Sequence, residues 1–126
     1  MEYMLYVRNH ADHKSALSEN EQNDFLLKCS MYIEKLKSNG QLIAAQPLVK
    51  EGVLLSHENG RWIEKPYGET KEVQVGYYHV LANNIQEAIE IAKGNPEFEY
   101  GSTARIEVRP VKTKEVTTGY EYPKSS

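Results

Sequence analysis

Near the start of the chain, Tyr3, Leu5 and Val7 alternate with Met4, Tyr6 and Arg8. Successive side chains of a strand point to opposite faces, so this spacing predicts a strand over residues 3–8 with two dissimilar faces. Ser18 followed by Glu21 is a capping box, in which each side chain satisfies a free backbone donor, and it predicts a helix start. Phe25, Cys29, Tyr32, Ile33 and Leu36 then recur at three- and four-residue spacing, which lays them along one stripe and turns Asp24, Lys28, Glu34, Lys35 and Lys37 to water. Gly40 supplies a left-handed stop. Residues 41–46 read as a second strand, closed by Pro47, which has no N–H for a central ladder. Residues 52–58 and 61–64 flank Asn59-Gly60, a pair that tolerates positive φ and predicts a type I′ hairpin. A longer strand follows over 72–82. Asn84 caps a second helix with Glu87 at its third position and Ile85, Ala88, Ile89 and Ala92 on its apolar stripe, and Gly94, Asn95 and Pro96 end it. Residues 104–111 alternate apolar positions with Arg105, Glu107 and Arg109, a last strand. Residues 112–126 form a polar C-terminal tail, expected to be loose, in which Tyr120 and Tyr122 are available to dock on a partner.

Strand, helix, strand, hairpin, strand, helix, strand is the order of an α+β, ferredoxin-like split βαβ fold with a β-hairpin inserted between its halves. One domain over residues 1–111 accounts for it. Both helices of such a fold cover one sheet face. The other face carries too many aromatic and apolar groups to meet water comfortably, so a homodimer packed sheet on sheet is expected.

A chain of 126 residues with 40% apolar content is large enough to bury a core without disulfides or a structural metal. Its formal charge of -3, with Lys and Arg scattered, offers no footprint for a phosphate backbone, so nucleic acid is not an expected partner. The single cysteine builds no disulfide, no apolar run approaches the ~20 residues that span a bilayer, and the first residues have the wrong flanks for a signal peptide. A cytoplasmic protein with a reduced thiol and no membrane association is the simplest expectation.

Four histidines and one cysteine are the remaining candidates for chemistry. Cys29, on the apolar stripe, reads as a buried core thiol, since a nucleophile needs an exposed, electropositive setting. His10 and His13 flank Asp12 but lack a third ligand at a recognisable spacing, so they read as solvated loop residues and no metal site or cofactor is expected. His57 precedes the hairpin turn and reads as exposed. Alternation places His79 with Tyr77 on one side of its strand and Tyr78 with Val80 on the other. The same parity sends Tyr6, Arg8, Arg105, Glu107 and Arg109 to the face opposite the helices. Tyr6, Arg8, Tyr77, His79, Glu107 and Arg109 thus form a candidate site for a small anionic or aromatic ligand. An interfacial network of ion pairs and packed rings without any ligand is the alternative.

The segment Glu64-Lys65-Pro66-Tyr67-Gly68 followed by Glu69-Thr70-Lys71-Glu72 resembles a pattern found in the YCII-related proteins, in the branch named for a D-G-P-F motif followed by A-E-T-K-E. Gly76-Tyr77-Tyr78, Glu87-Ala88 and Glu107-Val108-Arg109-Pro110-Val111 extend the likeness over residues 1–111. The resemblance implies a dimeric α/β barrel that encloses a cleft between facing sheets. Glu64 stands where the motif has aspartate and Lys65 where it has glycine, which moves the carboxylate one methylene outward and removes a residue tolerant of positive φ. Relatives of the YCII type resemble one another in pairing a helix histidine with an aspartate, a combination suited to acid–base chemistry. Cys29 falls at or near that histidine's place. With both family groups changed or displaced, the resemblance implies ligand binding, or an accessory role beside an unidentified protein partner. The alternative it implies is a small-molecule enzyme of isomerase, dehalogenase or cofactor-free oxygenase type. Its proton carrier would be His79 or Glu64, and Arg109 or Arg8 would hold an anion.

Overall fold

The computed structural model describes residues 1–123, so the last three residues of the polar tail lie outside it. Its elements are β1 (Glu2–His10), α1 (Glu19–Ser38), β2 (Leu42–Pro47), β3 (Gly52–Glu58), β4 (Arg61–Tyr67), β5 (Glu72–Leu81), α2 (Ile85–Lys93) and β6 (Arg105–Pro110), with a 3-10 turn at Pro96–Glu99 before β6. Four strands form one antiparallel sheet in the order β2-β5-β1-β6, the arrangement of a split βαβ fold. Among the described residues, β3 and β4 pair only with each other.

Local chemistry explains the boundaries. The Ser18 side chain accepts from the Glu21 N–H while Glu21 reaches back to the Ser18 N–H, which starts α1. Asn84 accepts from the Glu87 N–H and starts α2. Asn59 and Gly60 both hold positive φ, 50° and 75°, and turn β3 into β4.

β1 sits at the centre of the sheet and its odd and even positions live in different surroundings. Tyr3, Leu5 and Val7 are buried, and Tyr3 and Leu5 join Val80, Leu36 of α1 and Ala88, Ile91 and Ala92 of α2 in one core. Both helices therefore cover the same face. Met4, Tyr6 and Arg8 point to the opposite, open face, where cross-strand neighbours form rows: Arg109, Met4, His79 and Ala44 in one, and Glu107, Tyr6, Tyr77 and Gln46 in the next.

A bulge interrupts this alternation in β5. Val7 pairs with Gly76 but Arg8 pairs with Gln74, so Val75 is the extra residue and everything before it changes face. Val73 is thereby fully buried, and Glu72 comes to the open face rather than the helix face. Gly76 suits this close approach of strands, because a Cβ there would lie 3.0 Å from the Gln46 carbonyl oxygen and 3.3 Å from the Pro47 Cα.

The segment after Lys112, expected to be loose, instead folds back. Just before it the Val111 N–H donates to the Glu2 carbonyl; within it the Tyr122 N–H donates to the Thr113 carbonyl, and the backbones of Lys114 and Glu121 form an antiparallel bridge. Among the described residues no helix is long and apolar enough to cross a membrane.

Candidate functional site

Two regions gather polar side chains, one on each face of the sheet. Beneath α1, a cavity of about 460 Å³ opens between the helix and the edge formed by β2 and β5. Its apolar wall comes from Val7, Phe25, Ile33 and Val75, and its polar lining from His13, Lys14, Cys29, Tyr78 and Glu97. A wider hollow of about 650 Å³ lies between α1 and α2, but Lys28, Lys35, Glu87 and Glu90 line it as an open surface groove.

The inner end of the cavity is a buried polar cluster. Asn9, at the end of β1, donates to Glu97 Oε1 at 2.8 Å and accepts from the Thr103 hydroxyl at 2.6 Å. Asn95 accepts from the Glu97 N–H at 2.8 Å, which fixes the 3-10 turn that carries the carboxylate. His13 Nδ1 lies 2.9 Å from the His10 carbonyl, so this nitrogen donates. His13 Nε2 stands 3.0 Å from Glu97 Oε1 but off the hydrogen-bonding line, a close contact rather than an aligned bond. Burial pushes the Glu97 pKa up, but the contacts from His13 and Asn9 outweigh it and hold the carboxyl below its usual range. Both ring nitrogens of His13 face protein groups, so the pair is built to hold a charge in place.

Other groups are left for a ligand. Lys14 lies over the Phe25 ring at 4.6 Å and has no carboxylate partner among the described residues, so a cation marks the cavity rim. Burial pushes the Tyr78 phenol up, leaving it protonated, and its hydroxyl has no hydrogen-bond partner among the described residues. Burial, with the Glu97 charge adding, also pushes the Cys29 thiol up, so it is a weak nucleophile.

On the open face, the structure places Tyr6, Arg8, Tyr77, His79, Glu107 and Arg109 together, in adjoining rows. They divide into two polar groups. At one end Glu72 accepts from Arg8 Nε at 2.8 Å and from Arg105 Nη2 at 2.7 Å, and Arg8 approaches Glu107 at 3.4 Å. The hydrogen bonds from Arg105 and then Arg8 hold the Glu72 carboxyl down to about 2. At the other end His79 Nε2 donates to Glu2 Oε1 at 2.8 Å. Arg109 has no ion partner among the described residues. Glu64 is not part of either group: it lies on β4, opposite Leu55 and exposed to solvent.

Two expectations need correction. His13 is not a solvated loop residue but a cavity residue paired to Glu97. Cys29 is half-buried on the cavity wall rather than sealed in the core. Sequence reasoning missed Glu97, Asn9 and Glu72. Asn9 continued the buried parity of β1, a polar residue at a core position, and Gly76 inside a strand signalled the bulge that redirects Glu72. Nothing near Glu97 in sequence announced its partners.

Residues 1–112 match the family profile of the YCII-related domain. A search among curated proteins found no match.

Proposed function

The chain belongs to the YCII-related domain family, and from that premise we propose that it binds a small anionic or aromatic molecule in the cavity beneath α1, within the cytoplasm. One observation carries this: the cavity of about 460 Å³ has an apolar wall, and at Lys14 a rim cation and at Tyr78 a phenol that have no carboxylate or hydrogen-bond partner among the described residues. Sites for small molecules have this make-up, mostly apolar with a few placed polar groups. A ligand with a flat or short apolar body fits against Phe25, Ile33 and Val75, its acidic end toward Lys14. Ligand binding without turnover is favoured, because His13 Nδ1 is bonded to the His10 carbonyl, Nε2 is buried against Glu97, and the Cys29 thiol stays protonated.

A second reading has its own support. Glu2 orients the His79 imidazole, whose other ring nitrogen has no partner among the described residues. Carboxylate-oriented imidazoles suit proton transfer. On this reading two copies face each other across their open sheet faces, and the cleft between them holds the ligand near His79, Tyr77 and Arg109.

A thermal-shift screen of small aromatic and aliphatic acids and phenols tests both. A compound that stabilises the parent and Arg109→Ala but not Cys29→Phe, whose ring fills the cavity, supports the cavity. A compound lost with Arg109→Ala and kept with Cys29→Phe moves the site to the open face. Failure of every compound at millimolar concentration overturns the binding function.

A further inference from the structure

The β3–β4 ribbon stands apart from the four-stranded sheet and exposes apolar side chains unequally on its two faces. Ile63 and Tyr67 are half-buried on the inner face, and the Tyr67 hydroxyl accepts from the Gln74 N–H at 2.9 Å, which roots the ribbon beside Arg8. The outer face carries Val53, Leu55, His57, Trp62, Glu64 and Pro66, paired across the ribbon. Val53 is 60% exposed, Leu55 62% and Trp62 70%. A two-stranded ribbon with nothing on its apolar face is marginally stable in water, and contiguous apolar patches of this kind mark interfaces.

We propose that the ribbon is an arm whose outer face packs on the open sheet face of a second copy of this chain, with Glu64 meeting the partner copy's Arg109. Charge complementarity identifies the occupant. Glu64 is the only carboxylate on the outer face and has no partner among the described residues; Arg109 is an unpaired guanidinium on the open face. Seven residues per strand at ~3.3 Å make an arm of about 20 Å, enough to cross four strands spaced ~4.8 Å apart. Each copy would both give and receive an arm, the self-complementary geometry of a two-fold dimer. Paired with Glu64, Arg109 no longer anchors an anion, which leaves the cavity beneath α1 as the ligand site. The inference rests on self-association through the open face, which the facing-sheet reading of the function also requires.

Charge reversal with mixing tests it, read by sedimentation velocity over a concentration series. Glu64→Lys and Arg109→Glu alone should each weaken the dimer about tenfold or more. Mixed in equal amounts they should recover the parent affinity. In the mixed dimer the lysine introduced in one copy faces the glutamate introduced in the other, and the unaltered Glu64 and Arg109 meet at the second contact, so both contacts are repaired. Trp62→Ala should weaken the dimer about 30-fold. If the parent dimerises and neither Glu64→Lys nor Trp62→Ala changes its affinity, the arm inference falls while facing sheets survive. If the single charge variants weaken the dimer and the mixture does not recover, the Glu64 pairing with Arg109 is overturned. A parent that stays monomeric at every concentration removes both.

Discussion

The two faces of β1 differ in what their contacts achieve. Leu5, on the helix face, is fully buried among Val80, Leu36 and Ala88, whereas its neighbour Tyr6 remains partly exposed between Tyr77 and Glu107. The polar groups differ in the same way. Glu97, behind the helix face, is buried and accepts from Asn9, whereas Glu72 on the open face holds two arginines within reach of water. One strand therefore contributes stability through its odd residues and an adaptable, half-finished surface through its even ones. Binding surfaces tend to fall on the second kind, because a face already satisfied has nothing left to offer a partner.

The contrast can be broken by substitution. Leu5→Ala should cost about 3–5 kcal/mol in urea unfolding, the range for emptying a fully buried aliphatic site. Tyr6→Ala, one residue away, should cost about 1 kcal/mol under dilute, monomeric conditions, as expected for a half-exposed side chain; equal costs would erase the distinction between the faces. Glu97→Gln should lower stability by about 2–3 kcal/mol, because it leaves His13 buried beside a neutral amide. A double-mutant cycle with His13→Gln should show coupling of about 1 kcal/mol or more; simple additivity would mean that the pair is incidental.

Smaller effects sharpen the picture. Gly76→Ala should cost about 1–2 kcal/mol, since the added methyl meets backbone atoms of Gln46 and Pro47 that have little room to move. Glu72 is held below the ordinary glutamate value of 4.5, so its stabilising contribution is full above that pH and fades as pH falls toward about 2. Acid titration of Glu72→Gln by circular dichroism should lack this component of the parent curve. A superimposable pair of curves would mean that the arginine contacts contribute nothing to folding. Because water still reaches the half-buried Glu72 and its exposed Arg105 partner, this contribution is screened and should be the weakest of the set.

Much of the fold was legible because it is written at short range. The capping box at Ser18 and Glu21, the Asn59-Gly60 turn and the alternation of residues 3–8 each depend on neighbours within a few positions. Parity likewise placed Tyr6, Arg8, Tyr77, His79, Glu107 and Arg109 on one face. It did not anticipate Glu72, because a single bulged residue at Val75 inverts every assignment before it. The cavity was illegible for a different reason. His13, Cys29, Tyr78 and Glu97 come from four separate segments, and periodicity tells which way a side chain leaves its own element, not which loops will meet.

The central place of β1 also governs when the molecule can assemble. Its hydrogen-bonding partners are β5 and β6, so Tyr3 pairs with Val80 on one side and with Pro110 on the other. Contacts between residues so distant along the chain require large loops to close before they return any stabilisation, which slows folding. On a ribosome, β1 must wait for nearly the whole domain before both its edges are occupied. Until then its aromatic and apolar side chains, and the ribbon synthesised before either partner strand, are open to other chains.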